Sequence, residues 1–135
     1  MKIDWQPGSF RIMTPDGPEQ AKGLIGGPFG IQQEPRRWRP VWTVSHLATR
    51  LRLTLGNGAG FNDLALAQQF AERLLPLADW STGRALADDR ALADRVVAIW
   101  NELITLDVVA TNMAIAARYA TPRRENRAAR RRKQR

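Results

Sequence analysis

The sequence of 135 residues contains no cysteine and a single histidine, His46. The absence of cysteine excludes disulfide bonds, thiol catalysis and cysteine-ligated zinc, and it fits a reducing compartment. A single histidine excludes metal motifs built on two histidines, and it leaves histidine acid–base catalysis dependent on one ring. We therefore expect no metal site, no cofactor and no enzymatic activity.

Long hydrophobic runs are also missing. The first ten residues, MKIDWQPGSF, have no apolar core of the length found in signal peptides. No uninterrupted apolar run approaches the roughly 20 residues that span a bilayer. These two absences predict a soluble, cytoplasmic protein without a membrane contact.

Three local patterns point to chemistry but have simpler explanations. The glycines of the Gly26–Gly30 stretch lack the Lys-Ser/Thr of a phosphate loop and lead into no helix. His46 falls on the apolar face of a predicted strand, where a hydrogen-bonded core histidine is expected, and Ser45 falls on the opposite face, which argues against a Ser–His dyad. Asp88, Asp89 and Asp94 cluster where a helix is predicted to begin, and there carboxylates complement the helix dipole.

The first half of the chain has the alternation of β-strands. Ser9–Thr14 alternates apolar and polar residues, and a turn signal, Pro-Asp-Gly-Pro, follows it. Residues 23–31 predict a second, glycine-interrupted strand. Val41–Leu55 predicts a β-hairpin with its turn near Ala48 and Thr49, its leucines facing the core and its arginines facing outward.

The second half has the periodicity of helices. Asn62 is the predicted N-cap of a first helix, over residues 62–79, which Pro76 ends or kinks. The second helix is predicted over residues 86–120, and Pro122 is expected to stop it. It carries one apolar seam at Leu92, Val96, Ile99, Leu103, Leu106, Ala110, Met113 and Ala117. A second seam is Val97, Trp100, Ile104, Val108 and Ile115, so we expect burial on more than one side.

Strands followed by helices predict an α+β fold. We expect an antiparallel sheet of three to four strands from residues 9–55, packed against the two C-terminal helices. Residues 1–121 form a single domain in this prediction. Residues 122–135 form a basic tail that has no apolar side chain larger than alanine and is expected to be disordered.

The net charge of +8 is concentrated in two places. The tail carries +7, from Arg123, Arg124, Arg127, Arg130, Arg131, Arg132, Lys133 and Arg135 against Glu125. The second group is an arginine patch predicted to lie on one surface: Arg36, Arg37, Arg39, Arg50 and Arg52. Both groups are candidate contacts to nucleic-acid phosphates, since arginine offers a planar donor fork to phosphate oxygens.

The sequence VWTVSHLATRLRLTL followed by a helix resembles small proteins of phages and mobile elements, a resemblance that implies no particular activity. The leading hypothesis is a non-enzymatic nucleic-acid-binding accessory protein of bacterial, phage or mobile-element origin. Acidic proteins are a further class of partner for the tail, and codon usage in a GC-rich genome is another source of so many arginines. The alternative is a protein–protein interaction module, with a partner protein or a homodimer contact through the helix at residues 88–119 and its two seams.

Overall fold

Four strands form one antiparallel sheet, and their order in the sheet is their order in the chain. They are β1 (Gln6–Thr14), β2 (Gly17–Gly26), β3 (Phe29–Glu34) and β4 (Val41–His46). Two helices follow. The computed structural model describes residues 2–36, 39–54, 59–82 and 89–133, with side chains as far as Tyr119. The predicted α+β fold is confirmed.

The β1–β2 hairpin forms where the alternation predicted a strand and a turn. Phe10 and Ile12 are buried, and Arg11 between them is exposed. At the turn, the Thr14 hydroxyl donates to the carbonyl of Gly17 at 2.7 Å and accepts from the amide of Asp16 at 3.2 Å. A side chain that satisfies turn backbone in this way fixes the hairpin locally.

The single strand predicted over residues 23–31 is two strands. β2 ends at Gly26 and β3 begins at Phe29, and these two residues pair across the turn. Gly27 has a φ of +51°, a left-handed conformation that glycine adopts without a steric cost. The reversal at Gly27 and Pro28 therefore replaces the bulge that the glycines had suggested.

The sheet is curled until its first strand meets the chain that follows its last strand. The amide of Met13, near the end of β1, donates to the carbonyl of Arg50 at 2.8 Å. The ring of Phe10 lies over Gly30 of β3, where a β-carbon would come within 2.8 Å of the ring. The sheet thus has an inner face, with Phe10 and Ile12, and an outer face that packs on the helices.

The hairpin predicted over residues 41–55 has only one full arm. The turn falls at residues 47–49, as predicted, and Arg50 then adopts a φ of +62°. Its second arm is reduced to the bridge Ser45–Arg52, with backbone hydrogen bonds from His46 to Leu51 at 2.8 Å and from Leu53 to Val44 at 2.7 Å. The segment bonds to β4 and, through the carbonyl of Arg50, to β1.

The three leucines predicted to face the core, Leu51, Leu53 and Leu55, do not share one environment. Leu53 is buried and packs in the core with Val44, whereas Leu51 is exposed. Leu55 lies outside the described residues. The prediction of one leucine face toward the core is therefore confirmed for Leu53 and wrong for Leu51.

Helix α1 (Leu64–Leu74) begins one residue later than predicted. Its N-cap is Asp63, whose carboxylate accepts from the amide of Ala65 at 2.9 Å. Asn62, the predicted cap, instead donates its backbone amide to Asp107 at 2.7 Å and its side-chain amide to Thr111 at 3.2 Å. Both residue types cap helices well, and the tertiary contact decides between them.

One stripe of α1 packs against the sheet, and its members are Ala67, Phe70, Ala71 and Leu74. Pro76 lies in a single 3-10 turn, Leu75–Leu77, that ends the helix as predicted. Trp80 follows and is buried. Its indole donates to the carbonyl of Leu74 at 2.8 Å, which closes the end of α1.

Helix α2 (Arg90–Lys133) is 44 residues long and differs from its prediction at both ends. It begins at Arg90 because the Asp89 carboxylate accepts the amide of Leu92 at 3.0 Å, which caps the first turn. It also continues through Pro122, where a stop was predicted. Proline there removes one helical hydrogen bond and disfavours helical dihedrals at the preceding residue, so the helix continues at a local cost in stability.

The buried face of α2 lies between the two predicted seams. Leu92, Val96 and Leu103 of the first seam and Trp100 of the second are buried together. Trp100 packs edge-on against two phenylalanines, with ring centroids 5.0 Å from Phe61 and 5.9 Å from Phe70. The two seams therefore share one core in the first half of the helix.

Both seams become exposed after Leu103. The large apolar side chains with the most exposure there are Leu106 (55%), Val109 (52%), Met113 (68%) and Tyr119 (72%). By length and composition Arg90–Tyr119 passes the criterion for a bilayer span, with an 18-residue window of mean hydropathy 1.3. The prediction from uninterrupted apolar runs did not include this stretch, because polar residues interrupt it. Only 22% of that window is buried, so core packing explains a minor part of its apolar character.

Candidate nucleic-acid interface

Two arginines of the predicted patch meet at one carboxylate. Glu34, at the end of β3, accepts from Arg36 at 3.3 Å and forms a short ion pair with Arg52. Glu34 is only 8% exposed, so this charge lies where solvent screens it weakly. It offsets part of the positive charge of both arginines.

Arg52 reaches Glu34 across the inner face of the sheet. The outward orientation predicted for Arg52 is therefore wrong. Arg52 pairs with Ser45, and directly paired residues of neighbouring strands project to the same side. Ser45 and Thr43 are fully buried on the side of β4 opposite to Val44. Removing a charged arginine from water costs free energy, and the ion pair with Glu34 offsets that cost. Arg52 can therefore lie on the inner face, although the alternation predicted it to face outward.

Several buried polar atoms of Arg52 and of nearby hydroxyl residues have no hydrogen-bond partner among the described residues. They are Thr43 Oγ1, Ser45 Oγ, Thr54 Oγ1 and Arg52 Nε. Buried hydroxyls usually bond to protein groups or ordered water. The inner face is consequently polar at its β4 end and apolar at its β1 end, where Phe10, Ile12 and Ala21 cluster.

The remaining patch residues lie apart from that pair. Arg50 is exposed in the loop after β4, and Arg39 is exposed beside a surface groove of about 480 Å³. The groove is also lined by Asp63 and Asp107. Arg37 lies outside the described residues. The single outward basic surface predicted for the patch is thus divided, with Arg39 and Arg50 exposed and Arg36 and Arg52 held by Glu34.

The basic tail continues the long helix. The backbone of α2 is helical to Lys133, so seven of the eight tail cations lie on helical backbone. The eighth, Arg135, lies outside the described residues. The helix thereby joins the core-packed segment at Leu92–Leu103 to the most basic part of the chain without a break.

His46 is a core residue, as predicted. It is 1% exposed, and both ring nitrogens have partners: Nε2 is 2.6 Å from the carbonyl of Trp80 and Nδ1 is 2.9 Å from the hydroxyl of Thr49. A carbonyl only accepts, so Nε2 carries a proton and donates it. The imidazole ties the end of β4 to the segment after α1.

The predicted roles of the acidic residues at the start of α2 are partly testable. Asp89 caps the helix. Asp88 lies outside the described residues. Within the part of the chain that the structure describes, no three His, Asp or Glu side chains come together as a possible metal site.

Comparison of the chain with models of known protein families, with curated proteins and with solved structures finds no match in any of the three. Its function must therefore be argued from the geometry and charge of its own residues.

Two residues that shape this region had no clear signal in the sequence. Glu34 precedes the arginine patch by two positions, and its place in the sequence does not show which arginines it contacts. Asp107 is the one acidic residue in an apolar stretch of α2, and it is 1% exposed. Its carboxylate accepts the backbone amide of Asn62, a partner 45 positions away that the helical pattern does not indicate.

Proposed function

We propose that this protein is a non-enzymatic accessory protein that binds the phosphate backbone of nucleic acid through its basic tail. The observation that carries the proposal is the continuity of α2, which extends from the hydrophobic core into the segment with +7 of the net charge. A helical extension presents many cations along one axis. Phosphates along a nucleic-acid strand are arrayed in the same linear way.

The tail accounts for affinity rather than sequence reading. Each phosphate neutralised by Lys or Arg releases condensed counterions, and the logarithm of the binding constant then falls with a slope of about −0.9 per contact on duplex DNA. Contacts of this kind position a protein without distinguishing bases. We therefore propose binding that is salt-sensitive and tolerant of sequence, to DNA or RNA.

The body patch has a secondary role in this proposal. Arg39 and Arg50 are exposed and extend the positive surface. Glu34 forms ion pairs with Arg36 and Arg52, and these pairs reduce the positive charge that the two arginines present to a phosphate. Arg37 belongs to the proposed set by sequence alone. The proposed location is the cytoplasm of a bacterial cell, with an origin in the chromosome, a phage or a mobile element.

The exposed half of α2 favours a second candidate function, a protein-interaction module. Contiguous exposed apolar patches on a soluble protein commonly mark contact sites. A lysate capture after nuclease digestion separates the candidates. A partner that remains bound without nucleic acid favours the interaction module, and loss of all captured material with the nucleic acid favours the first proposal.

The direct test is a titration of duplex DNA and of RNA at two salt concentrations. The full chain is compared with a chain that ends at Thr121 and lacks the tail. We expect the full chain to bind with a steep salt dependence, and the shortened chain to lose at least tenfold in affinity at the lower salt. Equal binding by the two chains, or binding by neither, would overturn the proposal.

A matched pair of variants separates the effect of where positive charge is removed from the effect of how much is removed. One variant changes Arg130, Arg131 and Arg132 to Gln, and the control changes the exposed body residues Arg11, Arg90 and Arg95 to Gln. Both lose three positive charges. The tail variant is expected to lower the magnitude of the salt slope by about 2–3, and the control is expected to change it by less than about 1. Equal slopes in the two variants would assign the binding to overall charge.

A further inference from the structure

One row of exposed apolar side chains on α2 has the spacing of a coiled-coil seam. Leu106, Val109, Met113 and Ala116 are separated by three, four and three residues, and all four are exposed. In a heptad this spacing puts them at successive a and d positions along one line. Ile99, one heptad before Leu106, is half-buried and packs against the core, so the exposed row begins at Leu106.

The row faces away from the core. Leu106 immediately precedes Asp107, which is buried, and successive residues of a helix are rotated by about 100°. Met113 lies two turns from Leu106 on nearly the same side, at 68% exposure. The row is therefore accessible to a long partner that lies parallel to the helix axis.

A second copy of α2 fits this row because the row is self-complementary. Side chains at a and d positions act as knobs in the holes between the same positions of a facing helix. The row needs a partner of equal length and spacing, and an identical helix has both. The contact would also cover Met113, Leu106 and Val109, which are 68%, 55% and 52% exposed.

Charge along α2 determines the relative direction of the two helices. In its first third, Asp94 and Glu102 are balanced by Arg90 and Arg95, and the cations of the tail lie in its last third. Parallel helices would set two +7 tails side by side. Antiparallel helices place the two tails at opposite ends of the contact, so Coulomb energy favours that direction.

We infer that the protein forms an antiparallel homodimer through the exposed row of α2, Leu106, Val109, Met113 and Ala116. Leu106 of one chain packs against Ala116 of the other, and Val109 packs against Met113, about a twofold axis near residue 111. The two basic tails then point in opposite directions from the dimer. This inference does not rest on nucleic-acid binding, and a nuclease-treated protein at high salt serves for its test.

Light scattering of the full chain is the first measurement, and the expected mass is twice that of one chain. Met113→Glu on the seam is expected to shift the protein to a monomer, since it places two carboxylates in the apolar contact. Ile115→Glu is the matched control, because Ile115 is exposed on α2 but lies off the seam. It is expected to leave the dimer intact. A monomeric full chain, or the same mass for both variants, would overturn the inference.

Cross-linking tests the direction, and the lack of natural cysteine makes each introduced thiol unique. A mixture of Val109→Cys and Met113→Cys chains is expected to form a heterodimeric disulfide on oxidation. Leu106→Cys alone is expected to form none, because the two copies of residue 106 are about 15 Å apart along the antiparallel axis. Efficient self-linking of Leu106→Cys would show a parallel dimer and overturn the assignment.

A lipid surface is the competing occupant of an apolar helix flanked by arginines. Flotation with vesicles that contain anionic lipid distinguishes it. We expect the dimer to remain at the bottom of the gradient at high salt because its seam is covered. Flotation of the protein under these conditions, with a monomeric mass in their absence, would assign the row to lipid instead.

Discussion

Glu34 determines how much positive charge the body of the protein presents. Its carboxylate has two arginine partners, Arg36 and Arg52, whose side chains are each about 30% exposed. Breaking a fully buried pair by removing one partner costs about 3–5 kcal/mol. The partial exposure of both arginines lowers this cost, because water can solvate the charges that remain.

We expect Glu34→Gln to lower the free energy of unfolding by about 1–3 kcal/mol, measured by urea denaturation. The amide keeps the shape of the side chain but removes the negative charge. Glu19→Gln is the control, since Glu19 is an exposed carboxylate on β2 and should change stability by less than about 0.5 kcal/mol. Equal stability of the two variants would mean that the ion pairs contribute little.

The pKa of Asp79 can be used to test the hydrogen bonds in the loop after α1. The Ser81 hydroxyl donates to its carboxylate at 2.6 Å and the Ser81 amide at 3.0 Å, and these bonds hold the pKa of Asp79 below its ordinary value of 3.8. A carboxyl group whose pKa is lowered by folding stabilises the folded state above the unfolded pKa. That contribution is lost as the pH falls through the folded pKa.

We expect Ser81→Ala to raise the pKa of Asp79 toward 3.8, because the stronger of the two bonds is removed. NMR titration of the carboxyl carbon measures the shift directly. The variant should also show a weaker loss of stability below pH 3.8 than the natural chain. An unchanged pKa would assign the effect to the backbone bond alone.

At the scale of elements, Asp89 fixes where α2 begins. Its carboxylate satisfies the amide of Leu92, one of the four donors that a helix start leaves without a partner. We expect Asp89→Ala to destabilise the protein by about 1 kcal/mol, measured by urea denaturation. Asp89→Ser should restore most of the loss, because serine also caps. A loss of the same size in both variants would show that charge, rather than the cap, is responsible.

Pro122 is the point at which the core-anchored part of α2 meets its basic end. We expect Pro122→Ala to slow amide hydrogen exchange at residues 123–126, because alanine supplies the missing donor and favours helix by about 3 kcal/mol relative to proline. Gln134→Ala, beyond the last described helical residue, is a control with no expected effect there. Unchanged exchange in Pro122→Ala would indicate that helix formation in this segment is not limited by the proline.

The strands and helices also show which features the periodicity of apolar residues can predict and which it cannot. Ser9–Thr14 and the first arm of the 41–55 hairpin were correct because each alternates clearly. The break at Gly27 and Pro28 was missed because glycines have no side chains from which a period can be read. In α2 the apolar residues occur on nearly every side, so periodicity could not identify the buried face. The end of the globular body, near Asp107, decides which apolar residues are covered.

At the scale of the whole molecule, the curl of the sheet separates the predicted patch. Alternation places Arg50 and Arg52 on opposite faces from Leu51 and Leu53, but it contains no information about curvature. Because β1 reaches Arg50, the inner face is enclosed and Arg52 pairs with Glu34 inside it. The arginine content was readable from the sequence, whereas the grouping of those charges depends on contacts between residues far apart in the chain.

The long helix divides the molecule into a folded body and a charged extension, and the two should be separable. The tail carries +7 of the net charge of +8, which leaves the rest of the chain at +1. The buried residues of α2 end at Asp107, so a chain that ends at Thr121 retains the whole described core and the seam. We expect this chain to unfold in urea within about 0.5 kcal/mol of the full chain at high salt. In light scattering it should remain a dimer of the shortened chain.

Low salt adds a directional expectation to the same pair of chains. Self-repulsion among eight tail cations destabilises compact states as screening weakens, so the full chain should lose more stability than the shortened chain when salt is lowered. A loss that is equal in the two chains would mean that the tail charges do not interact with the body. A shortened chain that fails to fold at high salt would instead place part of the stabilising contacts beyond Thr121, against the division between body and extension.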